Sequence, residues 1–200
     1  MKVLQVSLIL CLSAFFSMNS QAQRFQRIRL MDGSLASLRG EKEINVEFAY
    51  ENIRVGKYDK EEDYVNNRKE EYNRKEPGRG DSWAKYWYDD RRAKYEPQFE
   101  EWFEKYGEMK QSSKAKYTLI FKTSFIEPGF NVGIARKSAY INAEAWIVES
   151  ANKNNVIAKI SIEKAPGRMF YGNDFDTGER ISEAFADAGR TIGRFIREKS

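Results

Sequence analysis

The sequence predicts an α+β fold: a mainly antiparallel sheet with helices packed on one face. Three segments, at 117–125, 141–147 and 156–162, alternate apolar and polar side chains. That period of two is typical of half-buried strands. Apolar residues at steps of three and four follow over 181–196, which indicates an amphipathic helix. Together these observations predict a three-strand meander followed by a long closing helix.

Two further segments complete the predicted domain. Ile44, Val46, Phe48 and Tyr50 alternate with polar or small residues, and we expect this first strand to join the same sheet. A helical insert over about 60–107 separates it from the meander. The sequence therefore predicts one domain over 43–200, preceded by an N-terminal leader segment at 23–42.

The closing helix contains two glycines in its interior. Gly189 and Gly193 each cost about 1 kcal/mol relative to alanine in a helix, so a packing reason is expected. The predicted strands offer small side chains at Ala143, Ala145 and Ala158. We therefore expect the two glycines to face the alanine-rich middle of the sheet.

The first 22 residues have the pattern of a secretory signal peptide. Lys2 supplies the charged region, 3–16 are mostly apolar, and Ser20-Gln21-Ala22 places small residues where a signal peptidase cuts. The apolar run is shorter than the ~20 residues that span a bilayer. The sequence thus predicts cleavage before Gln23 and export to the periplasm or outer surface of a Gram-negative-type bacterium, with no transmembrane segment in the mature chain.

Composition excludes several classes of function. The 200 residues contain no histidine, and the one cysteine, Cys11, lies in the predicted signal peptide. A Ser-His-Asp triad, a cysteine nucleophile and the usual zinc site are therefore excluded from the mature chain. The net charge of +4 is too small to indicate nucleic acid as a partner. We predict no catalytic residue and no cofactor. We also predict no metal site, because Asn173, Asp174 and Asp176 lack the spacing of a calcium loop.

Aromatic residues supply the candidate contact sites. Phe99, Trp102, Phe103 and Tyr106 repeat at helical spacing, which is typical of a buried stripe. Trp83, Tyr86 and Trp87 are left over once this stripe is assigned to the core, and aromatic side chains often line ligand clefts. We assign ligand or partner contact to Trp83, Tyr86 and Trp87, and to Trp146, a large aromatic on the predicted solvated face of the sheet.

The leading hypothesis is a non-enzymatic envelope protein that binds a partner protein or a glycan. Two alternatives stay open. The first is a carbohydrate-active enzyme that uses Asp or Glu carboxylates, which two close carboxylates in a cleft beside Trp83 and Trp87 would favour. Glu47 and Glu144 on the solvated face are better explained as structural, because neither has an apolar pocket to raise its pKa. The exposed position predicted for Trp146 suggests an assembly subunit. The sequence does not identify the ligand, the partner or the oligomeric state.

The C-terminal part resembles a known group of proteins. Pro128-Gly129-Phe130, a long hairpin over 139–162, Thr177-Gly178 and a helix with Ala188-Gly189 and Ile192-Gly193 occur in this order. This order resembles exported bacterial domains of unknown function whose α+β fold is similar to the periplasmic domain of curli-type secretion lipoproteins. The chain departs from that family because it lacks a lipoprotein cysteine and a membrane-spanning hairpin. The resemblance implies an envelope protein that works through contacts rather than a secretion pore, and no site residues carry over.

Export is testable by intact-mass analysis. When the full chain is expressed in a Gram-negative host, we expect the periplasmic protein to begin at Gln23, because the peptidase reads the small residues at 20 and 22. A periplasmic protein that retains Met1, or one that is lipidated at Cys11, would contradict this prediction.

Overall fold

The computed structural model describes residues 27–132, 135–167 and 177–200, and the following strands and helices lie in those ranges. The strands are β1 Ile28–Gly33, β2 Glu43–Ala49, β3 Arg54–Val55, β4 Lys110–Gln111, β5 Tyr117–Glu127, β6 Phe130–Val132, β7 Ala135–Lys137, β8 Tyr140–Glu149 and β9 Asn152–Pro166. The helices are α1 Glu61–Lys75, α2 Arg79–Asp90, α3 Glu96–Gly107 and α4 Thr177–Lys199. A π turn, Arg91–Tyr95, joins α2 to α3.

The architecture confirms the predicted α+β class. One seven-stranded sheet has the order β1-β9-β8-β5-β2-β4, with β3 also paired to β5, and β6 and β7 form a separate hairpin. The meander β5-β8-β9 is antiparallel, as predicted. The strand β2 joins the same sheet but runs parallel to β5, with Val46 opposite Leu119. Parallel pairing requires a long crossover, which the helices between β2 and β5 provide.

The sheet begins earlier in the chain than the sequence predicts. The strand β1 lies in the segment interpreted as a leader, and it pairs with β9 so that Ile28 is opposite Ile162. Leu35 and Leu38, just beyond it, are buried in the core. The main sheet therefore includes a strand from the segment 23–42 that the sequence assigns to the leader. An edge strand with one buried residue has no alternating pattern that could reveal it.

The core lies between the sheet and the helices. Phe121 of β5 is central to it, with its ring centroid 4.4 Å from that of Phe99 on α3 and 5.6 Å from that of Phe185 on α4. Phe48 of β2 completes the cluster at 6.0 Å from Phe121. These edge-on and tilted contacts are the geometries that aromatic pairs prefer. They tie both helices to the centre of the sheet.

The glycines of α4 face another helix, so the prediction that they face the sheet is wrong. A Cβ atom on Gly189 would overlap the carbonyl oxygen of Phe99, and one on Gly193 would lie 2.8 Å from the carbonyl oxygen of Phe103. Gly107 at the end of α3 approaches Gly193 in return, at 3.3 Å from its own added Cβ to the Gly193 Cα. Helix periodicity identifies the apolar side of α4, but it does not show which residues on that side meet the sheet and which meet α3.

This close contact predicts the sign of a stability change. Helix propensity alone makes Gly189→Ala stabilising by about 1 kcal/mol. Because the added methyl group overlaps the backbone of Phe99, we expect destabilisation by about 1–3 kcal/mol instead. Urea unfolding measures the difference.

The matched control is Glu198→Ala on the exposed last turn of the same helix. It should leave the free energy of unfolding close to that of the wild type. If Gly189→Ala proves as stable as the wild type or more so, the two helix backbones are not in contact at this position.

Candidate ligand pocket

A pocket of about 280 Å³ lies at the junction of α2, the π turn and the first turn of α4. Three of its lining residues, Trp83, Tyr86 and Trp87, are those that the sequence assigns to ligand contact. The full lining is Arg79, Ser82, Trp83, Tyr86, Trp87, Asp90, Tyr95, Thr177 and Gly178. The pocket is therefore built from two parts of the chain that are distant in sequence.

The helical hairpin α1–α2 provides the aromatic side of the pocket. The two helices approach closely at Gly80, where an added Cβ would overlap the carbonyl oxygen of Lys69. The side chain of Asn73 accepts a hydrogen bond from the Gly80 backbone N–H at 2.7 Å, and Lys69 forms an ion pair with Asp81 at 2.8 Å. This contact fixes the start of α2, from which Trp83 projects one turn later.

The two tryptophans differ from Tyr86 in how much of the ring is open. Trp83 and Trp87 pack against each other with centroids 5.6 Å apart, and both also contact Tyr64, at 5.9 Å and 5.0 Å. Only 8% of Trp83 and 4% of Trp87 are exposed, so little of either indole is open to a ligand. Tyr86 is 63% exposed. The pocket thus has a fixed apolar floor and one open aromatic wall.

A carboxylate on α1 fixes the orientation of Trp87. The indole Nε1 of Trp87 donates a hydrogen bond to Glu61 Oε1 at 2.7 Å. The guanidinium of Arg91 donates to both Glu61 oxygens, at 2.5 Å and 2.6 Å, and stacks over the ring of Tyr50 at 4.3 Å. Charge-assisted hydrogen bonds of this kind are among the stronger ones in proteins. Glu61 therefore holds α1, Trp87 and the π turn in one arrangement.

The opposite end of the pocket is polar. The carboxylate of Asp90 lies against the first turn of α4, where an added Cβ on Gly178 would overlap it. Lys94 forms ion pairs with Asp90 at 3.3 Å and with Glu179 at 2.9 Å. Partial burial raises the pKa of the Asp90 carboxyl above its usual value, and the Lys94 ammonium offsets part of that effect. The missing side chain at Gly178 is what makes room for this carboxylate.

Tyr95 supplies a polar group with no partner. Its ring stacks on Phe185 at 5.1 Å, and only 2% of the residue is exposed. Within the described part of the chain, nothing forms a hydrogen bond with its hydroxyl group. Burial raises the pKa of this phenol well above its usual value, so it stays protonated and able to donate. A buried hydroxyl without a partner is unusual, and Tyr95 is one of the residues that line the pocket.

Trp146, the fourth predicted contact residue, lies elsewhere. It is on the face of the sheet opposite the helices, next to Ala145 and Ile147, which are buried in the core. Its Nε1 donates to Glu144 at 2.7 Å, and the ammonium groups of Lys122 and Lys159 lie 3.7 Å and 4.4 Å from its ring centroid. The lysines cover the indole, which is half-buried rather than freely exposed.

The carboxylates of Glu47 and Glu144 on the solvated face each form hydrogen bonds with a neighbouring side chain. Both oxygens of Glu47 accept hydrogen bonds from Lys153, at 2.7 Å and 2.8 Å, and Glu144 accepts from Trp146.

No group of three or more potential metal ligands occurs among the described residues, and Asn173, Asp174 and Asp176 lie outside them. No described helix is long and apolar enough to cross a membrane.

Sequence reasoning missed the polar end of the pocket. Tyr95 belongs to the aromatic run of the helical insert, but its position did not distinguish it from core residues. Asp90 and Gly178 carry no local signal, because their contact depends on how α4 docks. The helical insert and α4 must be packed together before these residues form one site.

The unpartnered hydroxyl predicts the effect of Tyr95→Phe. A buried polar group without a hydrogen bond costs about 1–3 kcal/mol, so its removal should leave the protein as stable as the wild type or about 1 kcal/mol more stable. Thermal or urea unfolding measures this change, with Tyr88→Phe on the exposed side of α2 as the control. A clear loss of stability in Tyr95→Phe would show that the hydroxyl has a partner in the folded protein.

Comparisons with known proteins identify no family. No family model matches the chain, and no curated protein matches it. Two similar solved structures are a PelC dodecamer from Paraburkholderia phytofirmans and a single-substitution variant of it. The first is 13% identical, covering 80% of this chain and 94% of that chain, with a TM-score of 0.35. The second is 14% identical, covering 80% and 95%, also with a TM-score of 0.35.

Proposed function

We propose that this chain is an exported cell-envelope protein that binds an envelope component without catalysing a reaction on it. The observation that supports this proposal is the pocket between α2 and α4, where Trp83, Tyr86 and Trp87 converge. Concave sites with aromatic walls and a few polar groups are the usual form of ligand sites. The signal-peptide pattern of residues 1–22 supports an envelope location.

The polar groups of the pocket favour binding over catalysis. Asp90 is the carboxylate among the lining residues, and Lys94 already forms an ion pair with it. Glycoside hydrolysis by the common mechanisms needs two carboxyl groups on either side of the scissile bond. The lining residues in the described part of the chain supply one such group.

One observation keeps the enzyme hypothesis as a second candidate. The raised pKa of Asp90 is the property expected of a general acid. In that case Asp90→Asn would abolish turnover of a glycan while binding persists. The third hypothesis, assembly through Trp146, has less support because Lys122 and Lys159 cover the indole.

The binding proposal is tested by what the protein retains from the cell. The full chain is expressed with its own N-terminus, purified from the periplasm and denatured, and the released low-mass material is analysed by mass spectrometry. We expect the wild type to release a component that Tyr86→Ala does not. Tyr86 is exposed, so its truncation should remove a pocket wall without unfolding the protein.

The control is Tyr88→Ala on the same helix, which lines a separate groove and should retain the component. A wild-type protein that releases nothing beyond what Tyr86→Ala releases would contradict the proposal. So would a chain that stays in the cytoplasm when its first 22 residues are intact.

A further inference from the structure

We propose that the pocket recognises a neutral, hydroxyl-bearing sugar ring, with the Tyr95 hydroxyl and the Asp90 carboxylate binding the ring hydroxyls. This inference rests on the proposed function and specifies its ligand. It depends on four properties of the described pocket: an unused hydroxyl, a charge balance close to zero, the way the indoles are presented, and the volume.

The Tyr95 hydroxyl is the first property. It is buried, it belongs to a residue that lines the pocket, and no described group bonds to it. A phenol can donate one hydrogen bond and accept others, which matches the donor and acceptor capacity of a sugar hydroxyl. A ligand hydroxyl at this end would satisfy a group that otherwise lowers stability.

The local charges are the second property. Asp90 is paired with Lys94, which is also paired with Glu179, so the carboxylate keeps unused acceptor capacity while its charge is compensated. A cationic ligand would meet the Lys94 ammonium, which lies 3.3 Å from the same carboxylate, and Arg79 in another part of the lining. An anionic ligand would meet Asp90 itself, which occupies the positive end of the α4 dipole. The polar end therefore suits a neutral ligand.

The aromatic surfaces are the third property. Cation recognition by aromatic residues needs open ring faces, because the negative part of the ring quadrupole lies there. Trp83 and Trp87 pack against each other and against Tyr64, and with 8% and 4% exposed neither has an open ring face. The open ring is that of Tyr86, a single wall against which the apolar face of one sugar can stack.

The volume is the fourth property. At about 280 Å³ the pocket lies just below the range of roughly 300–1,000 Å³ typical of sites for drug-sized ligands. It therefore accommodates one ring with its substituents rather than a long oligosaccharide. A terminal residue of a longer glycan would enter in the same way.

Saturation-transfer NMR on the purified protein tests this inference with defined probes. The sugar probes are methyl glucoside, methyl galactoside and methyl N-acetylglucosaminide. Tetramethylammonium and acetate serve as cationic and anionic probes. We expect at least one sugar to show saturation transfer, with a dissociation constant about five- to tenfold weaker in Tyr95→Phe, because one hydrogen bond is lost.

Two variants on α2 make the test specific. Tyr86→Ala should lose the sugar signal, and Tyr88→Ala should retain it, since Tyr88 lies in the neighbouring groove with Arg91 and Arg92. Tyr95→Phe should remain folded, because it removes only a hydroxyl group that has no described partner. Its loss of affinity would therefore report on the hydroxyl group and not on the fold.

Each other outcome overturns the inference. Saturation of tetramethylammonium or acetate in place of the sugars would show a charged ligand. Sugar binding that Tyr95→Phe leaves unchanged would place the sugar elsewhere. Absence of any sugar signal would reject the ligand class, and the proposed function would still stand if the periplasmic protein retains a component that depends on Tyr86.

Discussion

The backbone contact between α3 and α4 is the constraint on which the rest of this structure depends. At Gly189 and Gly193 the helices approach so closely that a methyl group on either residue would meet the backbone of α3. Such an approach lets Phe99 and Phe185 both reach Phe121 in the middle of the sheet. The glycines lower helix propensity, and the core that they allow compensates for this cost.

The contact between α3 and α4 also determines where the pocket forms. Because α3 continues from α2 through one π turn, the position of α4 against α3 also sets its position against α2. The first turn of α4 then meets Asp90, and Gly178 leaves room for the carboxylate. Insertions of one residue in a helix are frequent at functional sites, and here the π turn ends at Tyr95, a residue that lines the pocket.

The sequence allows the regular part of the fold to be predicted and leaves the contacts between layers open. The strands β5, β8 and β9 and the helix α4 have strong periodicity, and the structure has them where the pattern predicts. The strand β1 has a single buried residue, and the partner of Gly189 depends on docking, so neither has a local signal. Elimination from a helical stripe predicts ligand contact at Trp83, Tyr86 and Trp87, which line the pocket. Asp90, Tyr95 and Gly178 come together only after α4 packs against the helical insert.

Native-state amide hydrogen exchange tests the central role of the α3–α4 contact most directly. If this contact is the core of the fold, the amides of Ala186 to Gly193 exchange only through global unfolding. Their opening free energy then equals the free energy of unfolding from urea denaturation, and it falls with urea at the global slope. The contrary result is exchange of these amides through a smaller opening with a shallower slope, while β5 and β8 stay protected. That would show that the sheet holds together without the helix pair.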